Sequence, residues 1–193
     1  MKKALIVILI LVVIAALAMI PMYNGLVTKQ ETVNTAWANV ETQYQRRADL
    51  IPNLVNTVKG YASHEQETFA QVTEARARAT QMTVSADDLT PEALAEYNKA
   101  QGELGSAIGR LLMIQEAYPE LKANQNFLEL QSQLEGTENR ISVARRDFNA
   151  AAQDYNTSIR RFPRNILASM FGFDQKPYFA ATEGADVAPV VQF

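Results

Sequence analysis

The chain has no cysteine, one histidine (His64) and one tryptophan (Trp37). Without a thiol there is no disulfide framework, thiol nucleophile, Cys-ligated zinc or lipid attached through cysteine. With one histidine and no Glu-x-x-His pair, the chain also lacks a His-Cys metal cluster and the ligand pattern of ferritin-like di-iron bundles. Ser63 adjoins His64, a spacing that suits a helix cap better than a nucleophile with its base. The residues therefore predict no enzyme: no catalytic residue, no cofactor-binding residue, no metal ligand and no cofactor. Positive charge is scarce too. The 18 Lys+Arg against 21 Asp+Glu leave a net charge of -3, which argues against a nucleic-acid partner. Glycine (8) and proline (7) are few among 193 residues and strand-like alternation is missing, so the expected class is all-α.

One long apolar run is present. After Lys2 and Lys3, Ala4 to Ile20 carries no charge; as a helix it measures about 25 Å, and about 30 Å through Tyr23, enough to span a bilayer. Ala16-Leu17-Ala18 has the small-x-small form of a signal-peptidase site, the rival reading, but apolar character continues past it to Met22 and favours a retained transmembrane helix over residues 1–23. Both lysines precede the run, which puts the N-terminus in the cytoplasm and the rest of the chain outside.

The remainder reads as long helices. Val33, Trp37, Val40, Tyr44, Arg47, Ile51, Leu54, Val58 and Tyr61 step by fours and threes, a heptad-like seam with one charged member. Pro52 cannot donate to the Ala48 carbonyl, yet the seam keeps its phase, which predicts a kink rather than an end; Gly60 is the expected stop and Ser63 the expected cap of a second helix. That helix carries Phe69, Val72, Ala75, Ala79 and Met82. Thr90-Pro91 opens a third, with Tyr97, Leu104, Leu111 and Tyr118 at sevens, ending at Tyr118-Pro119. A fourth places Phe127, Leu134, Ile141, Phe148, Tyr155 and Phe162 at sevens, with Leu130, Thr137, Ala144, Ala151 and Ser158 as a smaller companion row. Together these predict an antiparallel four-helix bundle over residues 24–162.

Two polar features stand out. Arg47 lies in the apolar seam, where its guanidinium either meets a carboxylate, Asp49 or Glu138, in a register-setting pair or snorkels out along its stem. Residues 163–179 form a basic, aromatic, amphipathic segment. Arg160, Arg161 and Arg164 are placed to meet lipid phosphates, with Leu167, Met170, Phe171 and Phe173 entering the interface; alternatively the aromatics fold back on the bundle. Residues 180–193 have the composition of a disordered tail. Its end, Val191 and Phe193, fits a carboxyl-terminal recognition motif of the kind PDZ domains take.

The runs Tyr23-Asn24-Gly25-Leu26-Val27, Arg46-Arg47-Ala48-Asp49-Leu50-Ile51-Pro52-Asn53-Leu54-Val55, Val58-Lys59-Gly60-Tyr61-Ala62, Glu116-Ala117-Tyr118-Pro119-Glu120-Leu121-Lys122-Ala123, Glu138-Asn139-Arg140-Ile141 and Phe162-Pro163 resemble the LemA family, in order from residue 23 to about 179. The resemblance implies a bacterial single-pass membrane protein with a short N-terminus and a soluble four-helix bundle, which with the lysine bias above places it in the inner membrane with the bundle outside. It supplies no activity; a related branch is associated with building magnetosome membranes. The expected function is a non-enzymatic, membrane-anchored scaffold of the cell envelope that contacts the membrane surface or envelope protein partners; its exposed heptad flanks can serve either bundle closure or homo-oligomerisation. The alternative is an extracytoplasmic ligand-binding sensor bundle that signals through a separate membrane partner.

Overall fold

The computed structural model describes residues 2–180, apart from the side chains of Lys2, Ala4, Val12, Ala15 and Ala16; Val191 and Phe193 lie outside the described residues, as does the tail beyond Ala180. Among the described residues the regular elements are all helical: α1 (Lys2–Lys59), α2 (Gln66–Gln81), α3 (Pro91–Met113), α4 (Pro119–Lys122), α5 (Gln125–Arg160) and α6 (Arg164–Phe171), with a 3-10 turn at Ile114–Glu116. Helix α1 has 58 residues, a rod of about 87 Å. It packs antiparallel along α5: Lys29 pairs with Asp154, Arg47 with Glu138, and Tyr61 accepts from Asn124. Helices α2 and α3 form an antiparallel hairpin against the α1 side of that pair.

α1 passes through the apolar run from Ala4 to Ile20 and on through Tyr23. Among the described residues, however, no helix is long and apolar enough to cross a membrane, and Ala4, Val12, Ala15 and Ala16 of the run fall outside the side-chain description. The expected span is therefore not shown. Among the described residues, the first fully buried one of α1 is Leu26.

The seam residues Val33, Trp37, Val40, Tyr44, Arg47, Ile51, Leu54 and Val58 are all buried. Tyr61 is not, because α1 ends at Lys59 and the turn back of Tyr61 and Ala62 onto the Val58 carbonyl (3.0 and 2.9 Å) puts Ala62 in the core instead. Ser63 does not cap α2. The helix starts two residues beyond the expected place, after Glu65, and Gln66 Nε2 donates to the Ser63 carbonyl (2.6 Å). Thr90 does cap α3, its Oγ1 accepting from the Ala93 amide at 3.1 Å with Pro91 in the first turn. That helix stops at Met113, five residues before the expected Tyr118, where the 3-10 turn tightens the chain. On α5 the row from Phe127 to Tyr155 is buried, but Phe162 is 82% exposed. The helix ends at Arg160, so residue 162 no longer lies on its inward face.

Pro52 sits inside α1 without ending it. The Ala48 carbonyl, which a residue-52 amide would otherwise satisfy, accepts instead from Arg76 Nε of α2 at 2.8 Å. A defect in one helix thus becomes the docking point of its neighbour.

Beyond α6 the chain is extended and runs back along α5. Asn156 pairs with both backbone groups of Lys176 (Nδ2 to carbonyl 2.8 Å, amide to Oδ1 2.9 Å), and Asn149, seven residues earlier, does the same with Phe179 (3.0 and 2.8 Å). The strap carries Phe179 onto Trp37 and Phe148, with Arg145 over its ring at 4.5 Å. Lys176 Nζ donates to the Ala86 carbonyl at 2.6 Å. The loop between α2 and α3 is held from the other side by Trp37 Nε1 on the Val84 carbonyl (2.9 Å).

The Pro52–Arg76 arrangement makes a coupled prediction. Arg76→Ala should destabilise by about 1–2 kcal/mol by leaving a half-buried carbonyl unpaired, and by less in a Pro52→Ala background, where residue 52 regains its amide. Urea unfolding of the four proteins checks it; equal losses in both backgrounds would refute the exchange of donors.

Candidate functional site

The core is two apolar clusters. One gathers Trp37, Tyr97, Phe148 and Tyr155 near the α6 end; the other gathers Ile51, Leu54, Leu104, Leu111 and Phe127 near the far end. Arg47 lies between them, 5% exposed, since position 47 falls on the same α1 stripe as Tyr44 and Ile51.

Its guanidinium is answered by acceptors from two other helices and by a ring on its own helix. Nη1 donates to Glu138 Oε2 on α5 at 3.1 Å. Nη2 donates to both oxygens of Gln101 on α3, the carbonyl at 2.9 Å and Oε1 at 2.8 Å, and the Tyr44 ring lies under the guanidinium at 5.0 Å. Gln101 in turn reaches the Ala79 carbonyl of α2 at 3.4 Å. Glu138 is mostly exposed on its outer side, so the pair joins interior to surface. Nε is buried without a partner among the described residues. Asp49, the other expected carboxylate, faces away and accepts from Gln45 at 2.8 Å.

Two grooves flank this layer. The larger, about 790 Å³, lies between α1 and the α2–α3 hairpin and is lined by Glu41, Tyr44, Tyr97 and Gln101. The second, about 630 Å³, opens between α3 and α5: Gly102, Gly105 and Gly109 form one wall, Ile108 and Leu134 supply apolar surface, and Arg47, Arg145, Glu135 and Glu138 supply charge. Both have the size of small-molecule sites. Burial raises the Glu41 carboxyl above its ordinary range. Burial also pushes up the hydroxyls of Tyr44, against the opposing pull of Arg145 and Arg47, of Tyr97, further raised by Tyr44, and of Tyr155, to about 12, with Asp174 adding to it. The tyrosine shifts are those of packed phenols. Among the described residues no group of three or more His, Cys, Asp or Glu is placed to hold a metal.

The expected contact segment divides. Arg160 and Arg161 are exposed, while Arg164 is half-buried and donates to Ser158 Oγ at 2.8 Å. Met170 and Phe171 are exposed, but Leu167 is buried at 3% and Phe173 is half-buried. Leu167 and Ala168 form the inward face of α6, and Gly172, at φ 72, turns the chain so that Phe173 packs beneath Tyr23 (5.6 Å between ring centres). Hence Leu167 and Phe173 are not free to enter an interface. The strap anchors Asn149, Asn156, Lys176 and Phe179 were not among the expected residues. The one sequence signal for them is the pair of asparagines seven apart on the α5 seam, since an extended strap has no helical period to read.

The fold and this layered core define a helical-bundle protein built on one continuous spine. Its sequence matches the pattern of the LemA family over residues 36–193, and the chain belongs to that family. It is 31% identical over 210 residues to the magnetosome protein MamQ 2 of Paramagnetospirillum magneticum, covering 97% of this chain and 75% of that one. It is 29% identical over 190 residues to the magnetosome protein MamQ of Magnetospirillum gryphiswaldense, covering 88% and 68%. It is also 25% identical over 160 residues to the protein LemA of Metamycoplasma hominis, covering 83% and 69%.

Truncation at the layer should be costly. Arg47→Ala removes the partner of two buried Gln101 oxygens and opens a cavity, with an expected loss of about 2–4 kcal/mol; Arg47→Met, which refills the volume, should lose less. Chemical denaturation of both variants measures the difference. The raised tyrosines predict alkaline lability. Their folded-state values lie above the ordinary 10.0, so their contribution is complete below that pH and is lost as the pH climbs through it, when the unfolded chain ionises first. The denaturation midpoint should decline as the pH rises from about 10 to about 12, and Tyr155→Phe should flatten the decline.

Proposed function

We propose that this is a non-enzymatic scaffold anchored in the bacterial inner membrane by residues 4–23, with its N-terminus in the cytoplasm and its bundle outside. The observation that carries the reading is the continuity of α1: one helix runs from the apolar segment into the buried seam without a break. The described large side chains of that segment support it, since Leu5, Ile6, Val7, Leu9, Leu11, Ile14 and Leu17 are all exposed on every side of the helix, a distribution suited to a lipid surround rather than to packing on one face. A rigid spine of this kind sets how far the bundle extends from the apolar segment, as binding partners at a membrane surface requires. Kinship with proteins named for the magnetosome supports a part in an assembly rather than in a reaction.

A second reading, a sensor bundle, is favoured by one observation. The groove between α3 and α5 is lined by a buried, incompletely partnered arginine, and a polar ligand there would add a bridge between the two helices.

The anchor is tested on the full chain in bacterial membranes. It should stay in the pellet through an alkaline carbonate wash, and protease added outside spheroplasts should digest the bundle. Extraction by carbonate, or protection of the bundle, would overturn the proposed placement.

A further inference from the structure

The segment after α5 has apolar side chains that the bundle does not cover. Leu167 and Ala168 are spent inward, yet Phe162 is 82% exposed, Met170 68%, Phe171 58% and Ile166 51%. Exposed beside them are Arg160 and Arg161, and no acidic residue occurs between Asp154 and Asp174. Four large apolar side chains with two free guanidinium groups on one short stretch are costly to leave in water.

Their place in the fold indicates what covers them. The Phe171 ring meets Tyr23 edge-on at 5.0 Å, and Arg164 approaches Gly25 closely enough that a Cβ there would lie 3.9 Å from its Nη2. α6 therefore sits level with residues 23–25 of α1, just past the end of the apolar run, where Ile20 and Leu17 are exposed. The uncovered surface of α6 continues the uncovered surface of the spine. In charge and position it fits the headgroup region of a bilayer, with aromatic and aliphatic side chains at the acyl boundary and arginines at phosphate level.

We infer that Phe162, Ile166, Met170 and Phe171, with Arg160 and Arg161, form an interfacial foot that seats the bundle on an anionic lipid surface beside its own anchor. This rests on the reading that the apolar part of α1 enters the bilayer. The foot fixes how the bundle stands: one helix alone allows tilt and swivel, whereas a second contact in the plane of the membrane removes both. The buried Leu167, the Gly172 turn and the strap hold the foot rigidly to α5.

The absence of cysteine makes single-site labelling direct. Full-length Phe171→Cys and Leu9→Cys proteins, each carrying an environment-sensitive fluorophore, are reconstituted into vesicles of phosphatidylcholine with and without phosphatidylglycerol. The Leu9 label should be shielded from aqueous iodide in both lipids. The Phe171 label should shift to the blue and become several-fold less quenchable only with phosphatidylglycerol. Arg160→Gln with Arg161→Gln should remove that shift, each arginine contributing about fivefold to occupancy of the seated state. A shielded Leu9 label with a water-exposed Phe171 label would overturn the foot while leaving the anchor intact. A shielded Phe171 label that ignores both lipid charge and the arginines would overturn the anionic preference. A water-exposed Leu9 label would overturn the anchor and the foot together.

Discussion

A guanidinium inside an apolar bundle must be met by hydrogen-bond acceptors, and in this protein that requirement organises the core. Arg47 draws Gln101 of α3 and Glu138 of α5 to one level, and Gln101 extends the link to α2. The apolar clusters above and below could slide against one another at modest cost, because Leu and Ile contacts are weakly directional. Hydrogen bonds at about 3 Å are not so tolerant. A one-turn shift of α5 would move Glu138 away and leave the buried guanidinium without its counter-charge, held by Gln101 alone, which is costlier than a mispacked leucine. The layer also explains the two grooves, since helices held apart by a polar spacer cannot close completely on either side of it.

Below that layer, toward α6, the chain solves a different problem. The α2–α3 connection is long and irregular, and its carbonyls need donors that no helical ladder supplies. Trp37 and Lys176 provide them from opposite directions, and the strap that delivers Lys176 has its own backbone groups satisfied by Asn156 and Asn149. Irregular segments here are held mainly by side chains reaching to main chain. Both are covered well enough to serve as core, as the burial of Leu89 and Phe179 shows.

What could be read in advance follows from what repeats. Helical periodicity is a property of neighbours in sequence, so the seam from Val33 to Val58 and the row from Phe127 to Tyr155 were visible residue by residue, and Arg47 stood out because it interrupted one of them. Each row failed at its end. Tyr61 and Phe162 kept the spacing of sevens while the helix beneath them had stopped, and spacing carries no record of where hydrogen bonding ceases. The cap at Thr90 was legible from its chemistry, whereas Ser63 had the right type at a place where α2 had not yet begun. Arg76 on the Ala48 carbonyl was half legible: Pro52 showed which acceptor would be orphaned, and only folding could show which donor would come. The division of α6 into Leu167 inward and Phe171 outward depends on a turn at Gly172 and on the docking angle, neither of which a composition count contains.

The unbroken spine has one more consequence, in the dimension of height. From Ile20 to Lys59 it rises about 58 Å, and no described loop interrupts it, so the turn at Gly60 and the α4 corner stand at a fixed distance from the end of the apolar run. A protein shaped this way is a gauge: whatever meets its far tip does so at one separation from its root, and any push on that tip reaches the root as torque along a single rod.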